Sequence, residues 1–459
     1  MTSILNNGNY FKNYKVVKQN DIHYKTEFEL HNLPLHIANS FRRALSSRIP
    51  IVTFDDKFHE NPSLRSINIR KNTGVIHNEF LSHRLSLVPI NMNNSNLKIK
   101  THFDLVTGKR DFTISENSPV FNLKKKNEEY NSNLEIYSND IFPTDNNDSG
   151  EYFQQDVFTG DYILINKLHY RESESEELDI ELKPTVGFGM IHSRYDPTGT
   201  VTFSFKEDES QFKNILSKKI SYFEKEKQIK SNNPKLKLNE DEIKTIEENF
   251  RLLDKERVYL KNKNGAPSIF EMSVESIGFL YPDQIIHRSL FILELLLDDL
   301  LNSVNFEKEE IFINNKLDID LVNSSKNCGV VITIYDEDHT LGNLLGSELR
   351  KLFYHDDNIL SNTAYRMNHP TINEIELIIF PKKEFLENSN VKLKKFLNKN
   401  NVNFKNDEKD KRLLFLFGAV LFIKTIKNCK ILIKNLIDDF KNVSKCEYLT
   451  KFEDLLENY

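Results

Sequence analysis

LPLHIANSFRRALSSRIP, Leu33 to Pro50, is the stretch on which the reading of this chain turns. Pro34 suits a first helical turn, where its missing N–H costs nothing, and Pro50 drives Ile49 out of the α region. A helix with two marked ends follows. Between them Ile37, Ala38, Phe41, Ala44 and Leu45 recur at three- and four-residue steps and form one apolar stripe. His36, Ser40, Arg43 and Ser47 fall on the opposite face, with Arg42 beside Arg43 and angled away from the stripe. The unit returns as EDHTLGNLLGSELRKL, Glu337 to Leu352. Asn343 lines up with Asn39, each after a small residue (Gly342, Ala38), while Arg42 and Arg43 line up with Gly346 and Ser347. Leu341, Leu345, Leu349 and Leu352 make the second apolar face, and Asp338 or Thr340 can cap its N-terminus. Two like helices, each after a strand-like run, predict an α+β chain with two copies of one domain. The copies are expected to close as an intramolecular pseudo-dimer through Phe41, Leu45, Leu341, Leu345, Leu349 and Leu352.

A chain of 459 residues has room for several cores. Charged residues at 28% and hydrophobic residues at 39% give a globular composition. Lys and Arg number 62 against 68 Asp and Glu, and the net charge of -6 argues against a broad electrostatic grip on nucleic acid. Direct contact with DNA or RNA is expected to be local at most. Cys328, Cys429 and Cys446 show no CxxC pairing, so neither a disulfide framework nor a cysteine-rich zinc site is indicated. MTSILNNGNYFKN lacks the charged start and apolar core of a signal peptide, and LLFLFGAVLFI, Leu413 to Ile423, is too short for about 30 Å of hydrocarbon. No membrane association is expected.

Residues 1–20 read as a polar, loose arm, and KTEFELHNL alternates like a half-buried strand leading into the first helix. From residue 57 to 160, short strands such as SINIR and LKIKTHFDL between Asn, Ser, Pro and Asp clusters predict a mainly β domain inserted in the first copy. That copy then spans 1–56 and 161–305, and the second, smaller one spans 306–459. Within the insertion His77, Glu79 and His83 match no metal-ligand spacing and are read as ordinary polar residues. GFGMIH, Gly187 to His192, lacks the third glycine of a dinucleotide loop and is set aside. Residues 206–264 form a Lys/Glu-rich excursion in which Ile243, Ile246, Phe250 and Leu253 predict an amphipathic helix over Glu240 to Leu260, laid back on its own domain. Residues 381–412 form a Lys/Asn-rich insertion expected to be mobile. PDQIIHRSLFILELLLDDLLNSV and FLFGAVLFIKTIKNCKILIKNLIDDFKNV each close a copy with a long helix.

The first helix resembles the motif of the α-type assembly subunits of DNA-dependent RNA polymerase, and DEDHTLGNLL followed by YRMNHP resembles the smaller, eleventh-type member of the eukaryotic and archaeal pair. NEFLSHRLSLVPI, ILINKL, GMIHSRYDPTGTVTFSF and FEMSVESIGFLYPDQII resemble the larger member, the third-largest subunit, in the family's order. The resemblance implies a non-catalytic assembly platform for the second-largest and largest polymerase subunits, with small accessory subunits as further partners. It implies that Asn39, Arg42 and Arg43 form the contact with a large subunit. Relatives often carry four cysteines for zinc or an iron-sulfur centre in the inserted domain; this insertion has none, so no metal and no cofactor is carried over. Fusion of both members in one Asn-, Lys- and Ile-rich chain is similar to the arrangement in large cytoplasmic DNA viruses, which implies a viral factory and the virion as location, or the nucleus for a cellular protein.

Two other classes compete. A metal-dependent enzyme would use Asp336, Asp338 and His339 with His355, Asp356 and Asp357, but the acidic pair is simpler as a helix cap. A free-standing dimerisation scaffold or transcription regulator would keep the paired helices without polymerase.

Overall fold

The computed structural model describes every residue except 1–8, 21, 94–96, 146, 171–174, 232, 235–236, 255–256, 264, 308–309, 324–327, 387–390, 401, 403–409, 445–455 and 459. Phe11–Gln19 (β1) and Ile22–His31 (β2) pair antiparallel, and Phe11, Phe28 and Leu30 enter the core. The loose arm expected over residues 1–20 is therefore a strand from Phe11 onward, held by side chains whose alternation is short and interrupted; residues 1–8 lie outside the described residues. Leu35–Ser47 (α1) follows, with Ile37, Ala38, Phe41, Ala44 and Leu45 buried as their spacing requires.

Pro50–Thr53 (β3) leads into the insertion. Its elements are Ile67–Asn72 (β4), Asn78–Ser86 (α2), Ile99–Asp104 (β5), Lys109–Ile114 (β6), Phe121–Lys126 (β7), Asn133–Tyr137 (β8), Phe142–Pro143 (β9) and Ser149–Tyr152 (α3). Leu164–His169 (β10) and Glu177–Leu182 (β11) follow. These two do not rejoin the first sheet, as the boundary at 160 implied. β10 pairs with β8, and β11 lies between β4 and β7. The insertion closes at Thr185–Phe188 (β12), which pairs with β3 as a stem. Alternation marks a strand without naming its neighbour, which is why the boundary moves.

Thr198–Phe205 (β13) and Ile269–Ser276 (β14) complete a sheet ordered β1-β2-β14-β13, and Pro282–Ser303 packs on it as a long helix. Between these strands, Glu209–Lys230 (α4) and Glu240–Leu253 (α5) form a helical hairpin joined by Phe212 and Phe250, whose ring centroids are 4.9 Å apart; the Pro282 helix is α6. Leu253 is 72% exposed and the helix stops there, so the predicted stripe is buried only at Phe250.

The second half opens with a hairpin, Val304–Glu307 (β15) and Glu310–Ile313 (β16), across the boundary expected at 305. Then come Leu317–Asn323 (β17), Cys328–Tyr335 (β18), His339–Leu349 (α7), a π-helical turn at Arg350–Asp356, Leu360–Arg366 (β19) and Glu374–Pro381 (β20). Lys383–Leu386 (α8), Val391–Lys399 (α9) and the 35-residue helix Asp410–Ser444 (α10) follow, and a last strand, Leu456–Asn458 (β21), pairs parallel with β5 of the insertion. The expected mobile insertion thus carries a packed helix: Leu393 and Leu397 of α9 are buried, and Phe396 sits 5.2 Å from Phe417 of α10. The sheet order is β17-β18-β20-β19, the same first-second-fourth-third order as in the first half, with a helix after the second strand and a long helix after the fourth. Among the described residues no helix is long and apolar enough to cross a membrane.

The halves share a core. α10 reaches the first strand of the other half: Asp439 Oδ2 accepts hydrogen bonds from the backbone N–H of Tyr10 at 2.7 Å and of Phe11 at 2.8 Å. The Phe440 ring lies 5.1 Å from Phe11 and 5.9 Å from Tyr14, and Lys434 pairs with Glu294 of α6 at 3.4 Å.

Candidate functional site: the crossing of the duplicated helices

α1 and α7 touch through side chains whose partners fall in number as α1 ascends. His36 Nε2 lies 3.1 Å from Glu348 Oε2, Ser40 Oγ donates to Thr340 O at 3.0 Å, and Arg43 donates to Thr340 Oγ1 at 2.8 Å and Asp338 Oδ2 at 3.0 Å. The helices therefore run antiparallel, and Asn39 and Asn343, the aligned pair, fall near the middle of the series. Beyond the end of α1, Arg48 Nη2 reaches Asp338 Oδ1 at 2.8 Å and Glu337 Oε2 at 3.1 Å, and Lys316 Nζ donates to Glu337 Oε1 at 3.0 Å.

Asp338 holds this end together. It caps α7 by accepting from Thr340 N at 2.8 Å and takes both arginines at once. Burial pushes its carboxyl up, but Arg48 and the bonds from Thr340 outweigh that and hold it down at about 2. At the other end Glu348 is fully buried; burial opposes its charge, yet His36 and Lys351 keep its pKa below the ordinary value, and Asn428 of α10 donates to it at 2.8 Å.

The hydrogen bonds and ion pair that join the helices come from His36, Ser40 and Arg43, on the face opposite the apolar stripe. Phe41 instead rests on its own sheet, 6.4 Å from both Phe11 and Phe28. Leu45, Leu341, Leu345 and Leu349 are fully buried, whereas Leu352 lies in the π-helical turn and is only partly covered. A helix with one apolar stripe must choose between its sheet and a neighbouring helix, and in α1 the aromatic part of the stripe seats on the sheet. In α7 the sheet side is made of Gly342 and Gly346, where a Cβ would stand 2.8 and 3.1 Å from the Tyr365 ring.

Of the three residues expected to face a large subunit, Arg43 is therefore committed inside the molecule. Arg42 Nε donates to Asn39 Oδ1 at 3.1 Å, and Arg42 makes no ion pair among the described residues. Partial burial and neighbouring Arg43 both lower its pKa, which marks a cation without a matching anion. In the second helix Asn343 is met instead by Ser347, the counterpart of Arg43, whose Oγ donates to Asn343 Oδ1 at 3.0 Å. Arg48, Glu337, Asn428 and Asp439 escaped sequence reasoning. Arg48 and Glu337 did carry a signal: a cation just past one copy and an acid just before the other meet if the copies cross antiparallel. Two of the four carboxylates of the rival metal site are committed elsewhere, Asp336 to Lys109 at 2.7 Å and Asp338 to the arginines.

Comparison with known proteins agrees with this duplication. The family model described as the RNA polymerase Rpb3/Rpb11 dimerisation domain matches residues 27–297, and a second model of the same description matches 330–407. The RNA polymerase II subunit RPB3 of Schizosaccharomyces pombe is 26% identical over 301 residues, covering 64% of this chain and 88% of its own. Subunit 3 of RNA polymerases II, IV and V of Arabidopsis thaliana is 24% identical over 290 residues, covering 59% and 85%, respectively. RNA polymerase subunit Rpo3 of Methanosphaera stadtmanae is 26% identical over 277 residues, covering 59% and 91%. Matched in both halves, on two sheets of one strand order, the chain belongs to the RNA polymerase Rpb3/Rpb11 dimerisation-domain family.

Proposed function

We propose that this chain is the assembly platform of a multisubunit DNA-directed RNA polymerase, an intramolecular pseudo-dimer that gathers the largest and second-largest subunits and takes no part in bond formation. The observation that carries the reading is the antiparallel contact of two equivalent helices within one molecule, from His36–Glu348 to Arg43–Asp338. Two such halves on separate chains must find each other; on one chain their association cost falls and their ratio is fixed at one to one. The edge of α1 that is left over offers Leu35, Asn39 and Arg42, with Leu35 42% exposed. Arg42 there is a planar cation suited to a carboxylate of the second-largest subunit.

Reversal of Arg42 to Glu tests this. Recovery of the second-largest subunit with the tagged full-length chain should drop at least tenfold while the free protein still melts cooperatively; undiminished recovery would remove Arg42 from the contact. A tagged chain that brings down neither large subunit would point to a scaffold outside polymerase. The fused arrangement further supports a large cytoplasmic DNA virus as the source, with the protein in viral factories and virions; immunolabelling that finds it only in nuclei would reject that location.

A further inference from the structure

The helical hairpin between β13 and β14 is open along one side. α4 has 22 residues and is about 33 Å long, yet none of its side chains is buried. Its inner side turns to α5: Phe212 meets the Phe250 ring, Phe223 lines a groove with Thr245 and Ile246, and Lys227 Nζ reaches Glu242 Oε2 at 2.6 Å. A second seam runs along the outside. Gln211, Ile215, Lys218, Tyr222, Lys225 and Ile229 follow one another at steps of 4, 3, 4, 3 and 4 residues. That spacing keeps six side chains on one side of a helix and is the one that faces a neighbouring helix. Ile215, Tyr222 and Ile229, at seven-residue intervals, are 38%, 64% and 77% exposed. An ordered row of exposed apolar side chains on a helix marks a surface for a partner.

The polar members of the seam define what the partner carries. Lys219, Lys227 and Lys230, which lie off the seam, are paired with Asp254, Glu242 and Glu226. Lys218 and Lys225, which lie on it, are exposed and make no ion pair among the described residues. Lysine at alternate seam positions disfavours an apolar helix and favours one with carboxylates across from it. A second copy of α4 supplies no such carboxylate. Laid parallel it sets lysine against lysine, and laid antiparallel it sets lysine against isoleucine or tyrosine. A membrane surface takes a broader apolar face than a row of single side chains with lysines between them. A helix that alternates apolar and acidic residues at the same spacing meets both kinds of position.

We propose that the outer seam of α4 docks an acidic amphipathic helix of another protein, with apolar side chains against Ile215, Tyr222 and Ile229 and Asp or Glu opposite Lys218 and Lys225. The lysines select the partner and its register, while the apolar row supplies the buried contact. Docking at α4 uses none of the residues assigned to the large-subunit contact and holds whether or not that contact is made.

The test uses the complex purified through a tag on the full-length chain. A carbodiimide couples lysine amines directly to touching carboxylates, and mass spectrometry identifies the joined peptides. Lys218 and Lys225 should each couple to Asp or Glu of one other protein, at two positions that repeat their own seven-residue spacing. Tyr222→Glu and Ile229→Glu, at exposed sites, should each lower recovery of that protein at least tenfold with cooperative melting of the free chain retained. Lys218→Glu combined with Lys225→Glu should do the same, whereas Lys218→Arg combined with Lys225→Arg, which keeps both charges, should leave recovery within twofold. Coupling of these lysines to no other protein overturns the proposal, as does coupling only to a second copy of this chain, told apart by mixing isotopically light and heavy forms. Recovery within twofold for Tyr222→Glu also overturns it, and so does sedimentation with phosphatidylserine vesicles that Tyr222→Glu abolishes.

Discussion

Asp338 binds the start of one duplicated helix to the end of the other, and its carboxyl sits at about 2 rather than 3.8. A carboxylate with a lowered pKa stabilises the fold above its unfolded value and loses that contribution as pH falls through the folded one. The difference corresponds to about 2 kcal/mol, present above pH ~4 and gone near pH ~2. Urea unfolding of the protein and of Asp338→Asn should therefore show a gap that narrows between these pH values; a gap independent of pH would contradict the assignment. The two arginines on Asp338 are unequal. Arg48 has a side chain 7% exposed, and its removal leaves buried Glu337 and partly buried Asp338 with one cation fewer, at a cost of roughly 3–5 kcal/mol. The Arg43 side chain is 36% exposed, water screens its pair, and Arg43→Ala should cost only about 1 kcal/mol. Equal losses in denaturant titrations would refute that ranking. Arg43 was legible as a helix-surface cation, but its partner lies 295 residues away, and local periodicity carries no such information.

At the scale of elements, the helices were legible because their apolar spacing and their proline or aspartate starts are local properties. Strand neighbours were not, as β10 and β11 show by pairing within the insertion. Glycines are the other case in which pattern misleads. GFGMIH looks like the start of a phosphate loop, yet a Cβ on Gly189 would stand 2.1 Å from Ser46 O, so this glycine lets the chain pass the last turn of α1. Gly189→Ala should cost about 2 kcal/mol or more, since backbone rather than a flexible side chain must yield; a melting temperature unchanged by the substitution would show that it can. The same geometry explains the asymmetry of the two copies. Gly346 occupies the place of Arg42 because Tyr365 covers it, so Gly346→Lys should lower stability by about 1–3 kcal/mol in thermal melts rather than restore a basic contact.

For the molecule as a whole, duplication was legible from two helices, with four further family-like stretches in order, while the way the copies lock was not. The lock is made by α10, whose Phe440 enters the aromatic cluster of Phe11 and Tyr14 in the other half. If the halves form the proposed pseudo-dimer, cutting the chain at an introduced protease site in the β15–β16 hairpin should leave them together on gel filtration. The melting temperature should then rise with protein concentration, because unfolding becomes dissociation as well. Halves that separate at micromolar concentration would argue against self-sufficient contact.

Tyr10 and Phe11 find the acceptor for their backbone N–H groups in Asp439, at a sequence separation of 428 to 429 residues. A ribosome adding roughly 5–20 residues per second delivers that acceptor tens of seconds after the strand has emerged. The strand must wait, shielded or loosely paired, until more than 400 further residues have been added, and termination anywhere between it and Asp439 leaves it without this tether.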